Sequence, residues 1–387
     1  MRDMGRKRIL VVAAAIAVGA VVTTTGVSMT AARHTAVPQA AKQPAHTAKR
    51  QAAVVHRAKA RVARTTKAAA RRAHVVKARV PARHAAPTRV HNSAQVAMAA
   101  VAFALCAKTG TATMPDGVTL TTWGFATKPD GVDCSDASVV AGAPGPVLDV
   151  AAGSDVTVTV TNTLAEPVSF EIPQLSVDQT DEVAAGATGT YTFKASRAGT
   201  FLYDSPSNAG RQQGMGLFGA LVVRPATVGQ AYDDASTAYA AEQVLVLSEF
   251  DPGLNADPDG YDLEKWNPQY WLINGKAYPD TAHIDAAQGT KLLLRYVNAG
   301  LDQNTMTMLG MRATLIARDG WPLGDPFGVI AETVASGQTV DELASVPAGS
   351  AGSSLALYNR QLHLSNGVLG APGHSPGGML TFVDVTP

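Results

Sequence analysis

The alternation of apolar and polar residues along most of the chain predicts β-strands. Residues 156–161 (VTVTVT) alternate valine and threonine without interruption, which is the pattern of a strand with one buried face. Similar short runs are separated by Gly, Pro and Asp, and helical periodicity is nearly absent after residue 109. We predict further strands at 189–193, 200–203, 220–223, 243–247, 291–297, 313–317, 355–358 and 380–385. Many short strands with regular turns predict an all-β fold of sandwiches or barrels.

The strand-rich part of the sequence also repeats itself at an interval of 136 residues. The segment LDVAAGS at 148–154, with Asn162 eight residues later, returns as IDAAQGT at 284–290, with Asn298 eight residues later. Further pairs follow in the same order, namely 182–186 with 332–337, 199–203 with 353–358, and 219–221 with 378–380. We therefore predict two copies of one fold, at 105–225 and 243–387.

The start of the chain differs in composition from the strand-rich part. Residues 1–8 are basic, and an uncharged apolar run of Ala, Val and Ile follows at 9–22. A basic start before a short apolar core predicts a signal sequence, so residues 1–30 are interpreted as a signal peptide or a signal anchor. Whether it is cleaved stays open, but either form predicts a secreted or cell-surface tethered protein.

Residues 31–92 form a cationic arm with 15 Lys and Arg residues and no acidic residue, whereas 93–387 has 13 basic against 30 acidic residues. The arm lacks large side chains and predicts a disordered linker. Its charge predicts binding to an anionic cell-wall polymer or a membrane surface, and a solvated spacer is the alternative. Export makes nucleic acid a poor physiological partner.

The two cysteines, Cys106 and Cys134, lie 28 residues apart in the first predicted domain. An oxidising compartment outside the cytosol would allow them to close one loop, so we expect a disulfide. Two free buried thiols are the alternative, because one pair of cysteines does not decide between them.

Several motifs of the strand-rich part resemble multicopper oxidases and occur in the order of that family. They are TMPDGVTLTTWGF (113–125), GPVLDVAAGSDVTVTVTNTLAEP (145–167), RAGTFLYDSPSNAGRQQGMGLFGALVVRP (197–225), YWLINGKAYPDT (270–281) and IARDG (316–320). The resemblance implies two tandem cupredoxin-like (plastocyanin-like) Greek-key β-barrel or sandwich domains. It also implies copper as cofactor and an oxidoreductase that reduces oxygen at a trinuclear copper cluster fed by a blue-copper centre.

The resemblance further implies where the copper ligands belong, and this sequence departs from the family there. Where the family has His-Trp-His-Gly, residues 171–174 are Glu-Ile-Pro-Gln, and where it has Tyr-His-Ser-His, residues 203–206 are Tyr-Asp-Ser-Pro. The degenerate ligand positions of the first domain are therefore Glu171, Pro173, Asp204 and Pro206. Glu171 and Asp204 are expected to be neighbours, where they could bind a cation, act as acid and base, or only fill space.

The second domain has lost its ligands in the same way. The histidine cluster is replaced at 304–309, and the final His-Cys-His is Asn-Arg-Gln at 359–361, with Arg360 at the thiolate position. The degenerate positions are Asn304, Thr307, Leu309, Asn359, Arg360 and Gln361. His374 and Met379, with His363, are the remaining candidates for a mononuclear copper site, and a loop histidine without metal is the alternative for His374.

These observations predict an exported protein that resembles multicopper oxidases, has lost their catalytic copper and acts as a cell-envelope binding or structural module. Only three of the nine histidines lie beyond residue 92, which is too few for a trinuclear cluster and a blue-copper centre together. The alternative is a copper-binding oxidoreductase of the same family with a reduced or non-standard copper site. A homo-oligomer is compatible with the sequence.

Overall fold

A computed structural model describes residues 100–175, 181–368, 370 and 372–387. The strands are, in chain order, β1 (Val101–Thr113), β2 (Thr119–Thr127), β3 (Leu148–Ala151), β4 (Asp155–Asn162), β5 (Thr188–Lys194), β6 (Gly199–Asp204), β7 (Phe218–Arg224), β8 (Ala241–Phe250), β9 (Tyr270–Ile273), β10 (Ile284–Ala287), β11 (Lys291–Asn298), β12 (Asn304–Met308), β13 (Arg312–Arg318), β14 (Trp321–Val329), β15 (Ala331–Val334), β16 (Thr339–Ser345), β17 (Ser354–Asn359), β18 (Ser365–Asn366), β19 (Ser375–Pro376) and β20 (Leu380–Thr386). Two five-residue α-helices interrupt them at Arg211–Met215 and Pro252–Ala256. The chain is all-β, as the sequence predicts.

Strands β1 to β7 form the first repeat, which consists of two sheets. One sheet has the order β2-β1-β4-β5 and the other the order β3-β7-β6. The alternating strand β4 turns its valines inward and leaves its threonines half exposed, because successive side chains point to opposite faces of a strand. The inward valines meet an aromatic cluster in which the rings of Phe170 and Tyr203 stack with centroids 5.3 Å apart. The core of the repeat therefore lies between its two sheets.

Strands β8 to β20 form the second repeat, which also consists of two sheets with the core between them, although its sheets have more strands. One sheet has the order β14-β13-β16-β11-β8-β9-β18-β19, and the other has the order β10-β20-β17-β12-β15. Leu294 of β11, Leu315 of β13, Leu357 of β17 and Val383 of β20 are all fully buried in the core between these sheets.

The pairing of strands confirms the internal repeat. In the first repeat β1 runs parallel to β4 and β3 runs parallel to β7, and in the second β8 runs parallel to β11 and β10 runs parallel to β20. Gly153 and Gly289 occupy the same turn with positive φ angles of 88° and 72°, which favour glycine. The repeated sequence segments thus occupy equivalent places in two cupredoxin-like folds.

The two repeats share an apolar layer. Leu202 and Phe218 of the first repeat pack with Val246 and Val297 of the second, and all four are at most 1% exposed. Burial of such side chains is worth about 1.5–3 kcal/mol each, so this layer contributes to holding the repeats together.

A buried ion network lies beside this layer. Arg295 of β11 is fully buried and donates to Glu242 and to Asp341, whose Oδ2 lies 3.2 Å from the Arg295 Nη1. Thr200 of the first repeat accepts from Arg295 and donates to Asp341 over 2.6 Å. One cation therefore links strands of both repeats.

A disulfide joins Cys106 to Cys134, as expected, with 5.6 Å between their Cα atoms. The predicted signal sequence (1–30) and the basic arm (31–92) lie outside the described residues. The domain limits 105–225 and 243–387 stay predictions. Among the described residues no helix has the length and apolar character required to cross a membrane.

Candidate functional site

The degenerate ligand positions of the first repeat meet at one backbone bridge. The Glu171 N–H donates to the Asp204 carbonyl over 2.9 Å, and the Asp204 N–H donates to the Glu171 carbonyl over 3.1 Å. Asp204 is buried, and its Oδ1 has no hydrogen-bond partner among the described residues. Burial, and secondarily the charge of Glu171, raise the pKa of Asp204 to about 7. The bridge therefore holds a carboxyl group that titrates near neutrality.

Serine and glutamine side chains fill the space next to Asp204. Ser205 Oγ donates to Gln212 Oε1 over 2.5 Å and accepts from the Ser169 N–H over 2.9 Å, and Gln212 Nε2 donates to the Pro167 carbonyl over 2.7 Å. Pro206, by contrast, is exposed at the end of β6. Pro173 is also exposed and opens a short 3₁₀ turn. The two prolines thus lie at the surface, and neither offers a side-chain ligand.

In the second repeat, two amides and one thioether form a buried network. Asn359, at the end of β17, donates from Nδ2 to Asn304 Oδ1 over 2.8 Å and to the Met379 sulfur over 3.5 Å. Asn304 and Asn359 are fully buried, as is Met379. Asn304 Nδ2 in turn lies 3.3 Å from Asn298 Oδ1. We call Asn304, Asn359 and Met379 the amide network.

The other degenerate positions of this repeat do not contact that sulfur. Thr307 is buried and donates to the Ile330 carbonyl over 2.7 Å, whereas Leu309 is exposed. Arg360 and Gln361 are exposed, and Gln361 Oε1 accepts from the Thr305 N–H over 2.9 Å. The resemblance places Arg360 at the thiolate position, but in the structure Asn359 faces the Met379 sulfur.

The remaining candidates for a copper site have separate surroundings. The His363 ring stacks on Trp271 with centroids 4.5 Å apart, and its half-buried position lowers the pKa of the imidazole. The His363 carbonyl accepts from the Met379 N–H over 2.9 Å, so the contact between the two is through the backbone. His374 is half-buried in the loop between β18 and β19. The contacts of the described residues do not bring the three side chains together.

A buried acid next to the amide network was not foreseen from the sequence. Glu249 of β8 is 2% exposed, its Oε1 accepts from the Asp302 N–H over 2.7 Å, and its Oε2 has no hydrogen-bond partner in the described part of the chain. Burial raises the pKa of Glu249 to about 8. The sequence signal is faint, because Glu249 follows the apolar run QVLVLS and reads as a polar residue at the end of a strand.

The residues at these positions do not fit a blue-copper or trinuclear copper centre. Such centres need a thiolate and clustered imidazoles, and the only two cysteines of the chain are joined in the Cys106–Cys134 disulfide. Asn359 directs an N–H donor at the Met379 sulfur, so it competes with a metal for that atom. Across residues 100–175 and 181–368, and the described residues after them, no three His, Cys, Asp or Glu side chains form a metal-binding group.

A family model described as multicopper oxidase matches residues 126–227. Residues 126–227 of the first repeat therefore resemble that family. The multicopper oxidase MmcO of Mycobacterium tuberculosis is 23% identical over 218 residues, which is 46% of this chain and 42% of that protein. The chain thus matches less than half the length of this curated relative.

Solved structures extend the likeness of the multicopper oxidase fold to both repeats. A blue copper oxidase from Nitrosomonas europaea superposes with a TM-score of 0.63 and 22% identity, covering 74% of this chain and 86% of that one. A copper nitrite reductase from the same organism superposes with a TM-score of 0.58 and 20% identity, covering 74% and 94%. The multicopper oxidase-like chain therefore has the fold of these proteins.

Proposed function

We propose that this chain is an exported multicopper oxidase-like protein that has lost the catalytic copper ligands and acts as a cell-envelope binding or structural module. The observation that carries the proposal is the amide network. Asn304 and Asn359 bond to each other and to Met379 in a fully buried place, so their hydrogen-bonding capacity is used within the fold. Satisfied buried polar groups of this kind specify a packed core and leave no open coordination position.

The envelope part of the proposal is supported by the charge pattern of the sequence. The apolar run after a basic start favours export, and the arm at 31–92 carries 15 basic residues and no acidic one. Anionic wall polymers or lipid surfaces attract such an arm.

Copper loading of the purified full-length chain tests the loss of catalysis. After incubation with excess Cu(II) or Cu(I) and removal of loose metal with a chelator, we expect substoichiometric copper and no oxygen uptake with a phenolic dye. One or more tightly held copper ions per chain, with oxygen uptake, would favour the copper-binding oxidoreductase and overturn the proposal.

Retention on envelopes tests the role of the arm. A variant with every Lys and Arg of 31–92 replaced by Gln keeps the length of the arm and removes its charge. We expect the native chain to sediment with isolated envelopes in a salt-sensitive manner and the Gln variant to stay in the supernatant. Equal retention of both would reject an electrostatic role for the arm.

A further inference from the structure

A cleft of about 390 Å³ lies beside the hairpin of β13 and β14, away from all degenerate copper positions. It is lined by the connecting segment between the repeats, by Arg197 and its neighbours in the first repeat, and by the start of β14. The volume falls near the lower end of about 300–1,000 Å³ that is typical of small-ligand sites. The cleft is therefore large enough for a short segment of a small polymer.

An exposed tryptophan forms one wall of this cleft. Trp321 directly follows the turn at Asp319 and Gly320, whose φ angles of 51° and 67° are both positive, as a tight two-residue hairpin turn requires. The indole is 62% exposed, although a side chain of this size is usually buried. The geometry of the hairpin does not require a solvent-exposed tryptophan at this position.

Arg197 fixes the orientation of this indole. Its guanidinium carbon lies 4.0 Å from the centroid of the Trp321 ring and 5.1 Å from that of Phe201. The same guanidinium donates to the carbonyls of Gln174, Gly320 and Asp319. One face of the indole is thereby covered by a side chain locked to the backbone. The exposed part of Trp321 is the part of the indole that Arg197 does not cover, and it forms a flat surface in a fixed orientation.

The connecting segment contributes hydrogen-bond acceptors to the lining of the cleft, and backbone hydrogen bonds hold them in place. Asp233 Oδ1 accepts from the Ala226 N–H over 3.2 Å, and Asp234 Oδ1 accepts from the Ser236 N–H over 2.8 Å. Both carboxylates are exposed and line the cleft together with Tyr232. A carboxylate has about four acceptor sites, so each retains capacity for hydroxyl groups of a ligand.

The side chains that line the cleft favour a ligand with an apolar face and hydroxyl donors. Arg197 already makes a cation–π contact with one face of Trp321. This contact lowers the affinity of the ring for a second cation. Asp233 and Asp234 repel an anion. A flat apolar molecule would stack on the indole but would desolvate both carboxylates without supplying donors. A sugar ring combines an apolar face for the indole with hydroxyl donors for the carboxylates.

We propose that the cleft between Trp321 and Asp233–Asp234 binds a neutral pyranose oligosaccharide, such as a segment of a glycan outside the cell. Trp321 stacks on a sugar face, and the two carboxylates accept from its hydroxyl groups. This inference rests on the proposed binding function, for which it names a site and a ligand class.

The test is titration of the full-length chain with cellohexaose and chitohexaose, followed by calorimetry and by the fluorescence of its tryptophans. We expect saturable binding that Trp321→Ala weakens about tenfold or more, corresponding to about 1.4 kcal/mol or more. Asp234→Asn, which keeps the size of the side chain, should weaken it as well. Phe327→Ala is the matched control, because Phe327 is an exposed aromatic residue of the same strand that does not line the cleft.

Three results would overturn the inference: no binding of either hexasaccharide, equal binding by the Trp321→Ala and Phe327→Ala variants, or tighter binding of spermine or 2-naphthol than of both sugars. Circular dichroism of each variant establishes that it is folded. Failure of sugar binding in a chain that takes up no copper would reject the cleft alone. Copper uptake with oxidase activity would reject the proposed function independently of the sugar result.

Discussion

The two repeats share one frame but fill their former ligand positions with different chemistry. Asn162 and Asn298, which are 136 residues apart, each donate to two backbone carbonyls over 2.8–2.9 Å at equivalent loops. Beyond these anchors the first repeat has a titratable carboxyl, Asp204, with serines around it. The second has the amide network of Asn304, Asn359 and Met379.

The difference shows that the frame does not depend on the chemistry of the site. Each asparagine anchor donates two hydrogen bonds to backbone carbonyls, a role that exists with or without a metal. The former ligand positions carry different side chains in the two repeats, and some of these side chains also bond the backbone, as Thr307 and Gln361 do. They can therefore be filled by different side chains that pack and satisfy one another. The following predictions test this separation, from the largest expected effect to the smallest.

Removal of Arg295 should be the most damaging single change. Arg295→Ala leaves the buried Asp341 without its cation and leaves Glu242 with Arg224 as its remaining cation, and we expect a loss of about 3–5 kcal/mol in the free energy of unfolding. Thr159, which lies 136 residues earlier in β4 and is half exposed, gives the matched control. Thr159→Ala should cost about 0.5 kcal/mol or less. Denaturant unfolding of both variants measures this, and comparable losses would contradict a special role for the network.

The titration of buried acids should distinguish the repeats by pH. The pKa of Asp204 is raised from 3.8 to about 7, so between these values the folded chain keeps a proton that the unfolded chain has lost. The free energy of unfolding therefore falls as the pH rises from about 4 to about 7 and is level above that. Asp204→Asn should remove this part of the fall, on the order of 2–4 kcal/mol.

Glu249 provides the counterpart in the second repeat. Its pKa is raised from 4.5 to about 8. Its contribution to the free energy of unfolding therefore falls over a pH window that ends about one unit higher than that of Asp204. Glu249→Gln should flatten the profile between about 4.5 and 8. Glu342, with a pKa also raised to about 8, keeps a decline of the same sign in both variants. Identical profiles of the free energy of unfolding for native and variant chains from pH 4 to 9 would contradict the raised pKa values of these buried carboxyl groups.

The asparagine anchors should be equivalent in the two repeats. Asn162→Ala and Asn298→Ala each remove two hydrogen bonds to backbone carbonyls, and we expect each to cost about 1–3 kcal/mol. Thermal unfolding measures both. A loss at one position with none at the other would show that the common frame does not serve both repeats equally.

Replacement of the thioether should have the smallest effect. Met379→Leu preserves volume and removes only the contact of the sulfur with the Asn359 amide, so we expect a loss of about 1 kcal/mol. The copper content after loading should not change either, because under the proposed function the amide network binds no copper. A change in copper content on this substitution would contradict that statement.

Alternation of side chains made the all-β class and nine of the twenty described strands predictable. All nine predicted strand segments lie within observed strands, because strict alternation and β-branched residues leave few other structures. β16 (Thr339–Ser345) was missed since Asp341 and Glu342 read as surface residues, whereas both are buried. β14 was missed because Pro322 and Pro326 are unusual in a strand. Its place at the edge of the sheet allows them.

The candidate site was predictable only in part. The resemblance placed Arg360 at the thiolate position, whereas in the structure Arg360 is exposed and the neighbouring Asn359 is buried. Adjacent residues of a strand point to opposite sides, so a shift of one residue exchanges a buried side chain for an exposed one. Glu249 was missed because its burial depends on the loop at Gly300, which the local sequence does not reveal.

Copper content and colour of the full-length chain test the central claim most directly. After loading with Cu(I), oxidation in air and removal of loose metal, we predict a colourless protein with substoichiometric copper. The double variant Asn304→His, Asn359→Cys serves as a comparison, since it adds an imidazole and a thiolate beside Met379. An intensely blue native chain with one or more copper ions would contradict the account.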